Sequence, residues 1–160
     1  MRKILVGISD SECAERTVDF VSSHLAGSGD LEVTVVHVLP NLPAVFWDEG
    51  HILSDTEKQE RQRVVDTWAS KQRAKVEPVM RSAVDAIVAT GMPAKNARIK
   101  FISDSTDVAD SLLEEAVDGK YQAIVISRSR KPAGTAAHIG SVAHKLAQKA
   151  AAGIAVCIAG

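Results

Sequence analysis

Short apolar runs rich in β-branched residues alternate along this chain with longer stretches whose apolar residues recur every third or fourth position. That alternation predicts parallel βαβ units. Ile4 to Ile8 (ILVGI) is apolar without a break, as expected of a strand covered on both faces. Ala14, Val18, Val21 and Leu25 then recur at helical spacing, with Gly27 as a stop. Leu31 to Leu39 (LEVTVVHVL) predicts a second strand, ended by Pro40, and residues 41 to 54 read as a loop that carries Phe46 and Trp47. A helical pattern follows from Asp55 to Thr90. Its stripe of Val65, Trp68, Gln72, Val76, Val79, Ala83 and Ile87 predicts one continuous core face. Pro78, inside it, predicts a kink or a split, because proline removes a donor and its ring clashes with the preceding turn.

The second half repeats the alternation. Ala97 to Ile102 (ARIKFI) is a third strand, and residues 107 to 118 a helix with Val108, Leu112, Leu113 and Ala116 inward. The six acids between Phe101 and Gly119, with no base among them, predict a solvated acidic face. Gln122 to Ser127 (QAIVIS) is the fourth strand, followed by a helix over 141 to 152 and a last strand over Ile154 to Ile158. Five strands and four helices in this order predict an α/β fold with helices on both faces of a doubly wound parallel sheet. Right-handed crossovers favour the order 3-2-1-4-5. The chain then reverses direction between strands 1 and 4, so a ligand crevice is expected at their carboxyl ends. The residues there are Ile8, Ser9 and Asp10 after strand 1, and Ser127 to Lys131 after strand 4.

Composition narrows the function classes. With 160 residues the chain predicts a single domain spanning 1–160, and 46% hydrophobic with 24% charged residues argues against disorder. Nineteen basic and 20 acidic side chains leave a net charge of -1, which offers no electrostatic case for nucleic acid or an anionic membrane. The two cysteines, Cys13 and Cys157, exclude a disulfide framework or a cysteine-built zinc cage and fit a reducing compartment. The N-terminus turns polar at Ser9-Asp10, too soon for a signal peptide, and no run is long enough to span a bilayer. A cytoplasmic protein is expected.

The densest chemistry follows strand 4, in SRSRKPAGTAAHIGSVAHK over residues 127 to 145. Arg128, Arg130 and Lys131 precede a small-residue loop, and Gly140-Ser141 opens a helix, with Ser141 expected to cap it. A glycine lets backbone approach an anion, and a helix N-terminus adds unpaired N–H groups and partial positive charge. This reads either as a phosphate site or as a capped helix with solvated arginines. Ser9 with Glu12 has the spacing of a capping box for the first helix, set against a ligand role for Ser9. His138 stands two residues before Gly140, within reach of a ligand there. Cys13 falls in the first turn of helix 1, where the helix dipole can activate a thiol, or is a small buried residue. No metal-ligand spacing, catalytic triad or P-loop is present, so no enzyme is expected.

The opening ILVGISDSE, the strand exit VVHVLP and the block over 127 to 145 resemble the universal stress protein family, across essentially the whole chain. Nucleotide-binding members of that family carry Gly-x-x-Gly, nine residues, then Gly followed by Ser or Thr. Laid on this chain, the two early glycines fall on Ser127 and Arg130, the spacer on Lys131 to Ile139, and the final pair on Gly140-Ser141. Only the last pair matches. Ser9 takes the place of the family's nucleotide-contacting Asp, and Thr106-Asp107-Val108-Ala109 stands for Gly-Asp-Pro-Ala. Side chains at Ser127 and Arg130 disfavour the family's ATP pose, although Arg130 and Lys131 can hold a phosphate by side chain. The resemblance implies a non-catalytic regulatory or binding module in stress response, without tight ATP binding. It also implies a homodimer through the final strand, whose outer edge lacks a partner, with Val156 at or near the twofold axis.

Two alternatives stand beside that reading. One is an ATP- or AMP-binding version with phosphates at Gly140, Ser141 and Val142 and base contacts near Val38 and Ile126. The other is a protein-interaction module using the Phe46-Trp47 loop, which reads equally as a lid or as a packing anchor. The candidate site residues are therefore Ser9, Val38, Ile126, Ser127, Arg128, Arg130, Gly140, Ser141 and Val142, with no metal expected.

Overall fold

The computed structural model describes residues 1–9, 11–25, 27, 29–43, 52–103, 105–128, 140–150 and 153–160. Asp10, Phe46, Trp47, Arg130, Lys131 and His138 lie outside the described residues, and with them the readings that rest on them. The elements follow the predicted order: β1 (Arg2–Gly7), α1 (Ser11–His24), β2 (Leu31–Val38), α2 (Asp55–Ala89), β3 (Ala97–Ile102), α3 (Val108–Asp118), β4 (Ala123–Ser127), α4 (Ser141–Lys149) and β5 (Ala155–Ala159). A short 3-10 turn over Ala94–Asn96, which carries no sequence signal of its own, leads into β3. The five strands form one parallel sheet in the order β3-β2-β1-β4-β5.

Strand alternation explains the unbroken apolar runs. Ile4 and Val6 of β1, with Val33 and Val35 of β2, face a layer that includes Val18 and Val21 of α1 and Met80, Ala83 and Ile87 of α2. Leu5 and Val36 face the opposite layer, with Leu112 and Ala116 of α3 and Ala143 and Leu146 of α4. Both faces of the central strands are covered, so no polar alternation is needed. The single buried hydroxyl in β2, Thr34, is satisfied there: it accepts from Tyr121 Oη at 2.9 Å and from Arg98 Nε at 3.0 Å.

Helix α2 narrows one expectation and departs from another. It runs unsplit through Pro78. That residue lies on the exposed side, where it removes one backbone donor, while Val79, Met80 and Ala83 hold the following turns against the core. The predicted continuous core face is also shorter than expected: only Ala83 and Ile87 of that stripe are buried, joined by Met80, while Val65, Trp68, Gln72, Val76 and Val79 are half-buried. Length accounts for this. At 1.5 Å per residue a 35-residue helix extends about 52 Å, whereas an eight-residue strand covers about 26 Å. The sheet therefore serves only the C-terminal part. The far end begins in a capping box, with Ser54 N donating to Glu57 Oε2 at 2.8 Å and Glu57 N to Ser54 Oγ at 3.4 Å.

The two sheet edges differ chemically. Edge strand β3 presents Arg98 and Lys100, paired with Glu32 and Glu115 at 3.4 and 2.6 Å, which blunts further strand pairing. Edge strand β5 (AVCIA) carries no charge, and Val156, Cys157 and Ile158 are half-buried.

Candidate functional site

The register places the carboxyl ends of β1 and β4 side by side, with Val6 opposite Val125. A crevice of about 200 Å³ opens there. Its floor is Gly7 and Ile8 at the exit of β1 and Ile126 and Ser127 at the exit of β4. Val36, His37 and Val38 of β2 form one wall, Val108 and Leu112 of α3 another, and Val142 and Ala143 of α4 a third. Gly7 is fitted to this floor by size, because a Cβ there would stand 3.1 Å from Ile126 Cγ2. A second, more polar chamber of about 460 Å³ shares Ser9, His37, Val38 and Val108 with the first, and extends toward Gln72 and Lys75 of α2.

Of the predicted site residues, Ser9, Val38, Ile126, Ser127 and Val142 line the crevice together. Ser9 is exposed at its rim, and α1 begins two residues later, at Ser11. The Ser127 hydroxyl donates to Cys13 Sγ at 2.7 Å, so both are engaged with each other in the wall. Cys13 does lie in the first turn of α1 and is buried. Arg128 stands apart from the lining: its backbone N–H donates to Ala159 at 2.8 Å, and its carbonyl accepts from Arg16 Nη2 at 2.9 Å. Arg130 is outside the described residues.

The opening of α4 corrects one expectation. Gly140, not Ser141, is the N-cap, with φ -55° and ψ 156°, and no side chain caps the helix. Ser141 is the first helical residue and is exposed. With glycine at the cap, the first N–H groups of α4 have no side-chain acceptor from that residue.

The acidic stretch is more organised than a solvated face. Asp107 caps α3 by accepting from Asp110 N at 3.1 Å and also pairs with Lys145 of α4. That ammonium, with the Asp110 N–H, holds the Asp107 carboxyl below its usual range. Lys149 donates to Asp110 at 2.7 Å and is itself raised by that partner. Two cross-helix pairs thus fasten α3 to α4, the helices that form two crevice walls. Sequence reasoning missed Val36, His37, Val108, Leu112 and Ala143 as lining residues. Alternation from Val38 points to Val36, and helical spacing joins Val108 to Leu112, but only the tertiary arrangement brings them to the ends of β1 and β4.

Chemically this is a largely apolar slot with a few fixed polar atoms. Among the described residues, no three His, Cys, Asp or Glu side chains converge on a metal-sized point, and no helix is long and apolar enough to cross a membrane.

Solved structures share the architecture. A universal stress protein from Archaeoglobus fulgidus matches with a TM-score of 0.66 at 20% identity, over 100% of this chain and 99% of that one. The structure of the universal stress protein from the same organism in complex with dAMP matches at 0.61 and 21% identity, covering 100% and 98%. A universal stress protein family protein from Arabidopsis thaliana with AMP bound matches at 0.62 and 12% identity, covering 100% and 93%. No curated protein matches the chain by sequence. The model of the universal stress protein family, by contrast, matches residues 1–157. The 3-2-1-4-5 sheet and that near-complete match lead to one assignment: the chain belongs to the universal stress protein family.

Proposed function

We propose that this protein is a non-catalytic binding and regulatory module of the stress response, whose crevice takes the base end of a nucleotide and does not grip ATP through its phosphates. The observation that carries this reading is the composition of the crevice. It is open and apolar at the β1–β4 junction, yet Ser127, with its hydroxyl spent on Cys13, stands where nucleotide-binding relatives have the first glycine of the phosphate loop. The solved relatives in complex with dAMP and with AMP bound support a nucleotide as the ligand. The competing reading, phosphates at Gly140 and Ser141, draws on the glycine cap of α4.

Calorimetric titration with AMP, ADP and ATP in the presence of Mg²⁺ separates the two. The expected result is weak binding in which each added phosphate changes the dissociation constant by less than about tenfold, or 1.4 kcal/mol. ATP binding at micromolar concentration, about 100-fold tighter than AMP, overturns the proposal.

A cytoplasmic homodimer paired through β5 completes the reading. The uncharged edge of β5, in contrast to the charged edge of β3, supports it. Light scattering is expected to give twice the 17.0 kDa chain mass, and a monomer across the micromolar range contradicts it.

A further inference from the structure

Resting on the reading of the crevice as a base site, we propose that His37 sets its specificity, by selecting a ring that presents an amino group over one that presents an oxo group. His37 is 9% exposed and stands at the junction of the apolar slot and the polar chamber, lining both. Its Nδ1 lies 2.7 Å from the Ile8 carbonyl oxygen. A carbonyl only accepts, so the ring proton is on Nδ1, and in the neutral imidazole Nε2 carries a lone pair. The ring also makes an edge contact to Phe101, whose own face carries the Arg73 guanidinium at 4.7 Å.

Among the described residues Nε2 has no hydrogen-bond partner, and it is not sealed off. Among the described residues, the one buried side-chain nitrogen or oxygen without a partner is Arg16 Nε. The lone pair of Nε2 is therefore left for whatever occupies the crevice. His37 shares the slot with Val36, Val38, Val108 and Leu112, and shares the polar chamber with Gln72 and Lys75. A ligand amino group at this point satisfies the lone pair. A ligand carbonyl oxygen there sets acceptor against acceptor in a largely apolar wall, where an unpaired polar group is costly. Sites built to hydrogen-bond a ligand group reject analogues that lack it far more sharply than apolar pockets reject a change of size.

The test compares AMP with IMP, which differ in a 6-amino against a 6-oxo group, on the full chain and on His37→Asn. Asparagine retains a donor near the Nδ1 position for the Ile8 carbonyl, and its own acceptor, Oδ1, stops short of the position that Nε2 occupies. Wild type is expected to bind AMP at least about tenfold more tightly than IMP, and His37→Asn to bring the two within about twofold. The ¹⁵N resonance of Nε2 in the wild-type protein gives a second readout, expected to move on adding AMP and not IMP, which decides the matter even where the variant does not fold. Equal binding of AMP and IMP by wild type overturns the role of His37 and leaves the base site standing. So does a preference that survives in His37→Asn, or an Nε2 resonance indifferent to AMP. Failure of wild type to bind either nucleotide overturns the base site and this proposal with it.

Discussion

Replacing Leu146 with alanine is expected to cost about 2–5 kcal/mol of stability and to weaken nucleotide binding at the same time. Leu146 is fully buried against the face of the sheet that also holds Leu5, Val36 and Ile124. Its helix, α4, has only nine residues, and only Ala143 and Leu146 of it are buried. A helix this short does not hold itself together in water, so its place in the fold depends on those two side chains together with the exposed Lys145 and Lys149 pairs to α3. It also supplies Val142 and Ala143 to the crevice. Chemical denaturation checks the stability loss, and AMP titration of the folded variant checks the binding. A loss below about 1 kcal/mol contradicts the assignment of α4 as a helix held by core packing.

Gly119→Ala is expected to destabilise the fold by about 1–3 kcal/mol through overpacking. The backbone is not the reason, because φ at Gly119 is an ordinary -79°. Space is the reason. A Cβ there would sit 2.1 Å from Tyr121 Cε2, 2.7 Å from Cδ2 and 3.0 Å from the Glu115 carbonyl oxygen. The tyrosine ring cannot swing away at little cost, since Tyr121 is buried and its hydroxyl is tied to Thr34 in the centre of the sheet. The fall in Tm by calorimetry is expected at about 2–4 °C per kcal/mol for a chain of this size. An unchanged Tm contradicts the close fit between the end of α3 and the sheet.

Much of this architecture was legible in the residues. ILVGI and LEVTVVHVL are apolar throughout because β1 and β2 lie between two helical layers, and that property is local enough to see along the chain. The switch point followed from the strand order and pointed to Ile8, Ser9 and Ser127, whereas Val38, Ile126 and Val142 came with the nucleotide-binding alternative that the family resemblance offered; all six line the crevice. The extent of burial along α2 was not legible. The stripe from Val65 to Ile87 keeps its spacing, but what it packs against is set by the length of the sheet. The cap of α4 was misread because Gly140 and Ser141 are both good caps, and backbone dihedrals decide between them. His37 lies within the apolar run of the second strand and belongs to no motif of its own. Its ring does pack on Phe101, but its hydrogen bond to Ile8 comes from a neighbouring strand exit 29 positions away, a pairing that no local pattern carries. The acidic run over α3 lost its apparent isolation for the same reason, since Lys145 and Lys149 come from α4.

The central claim is that the crevice between the ends of β1 and β4 is the ligand site of this protein, and methyl NMR during an AMP titration tests it most directly. The account predicts shifts in the methyl groups of Val36, Val38, Ile126 and Val142, which surround the slot, while Val18 under α1 and Val64 on the exposed side of α2 stay still. Spectra in which the four lining residues do not move at millimolar AMP, or in which the changes fall on Val18 or Val64 instead, contradict it.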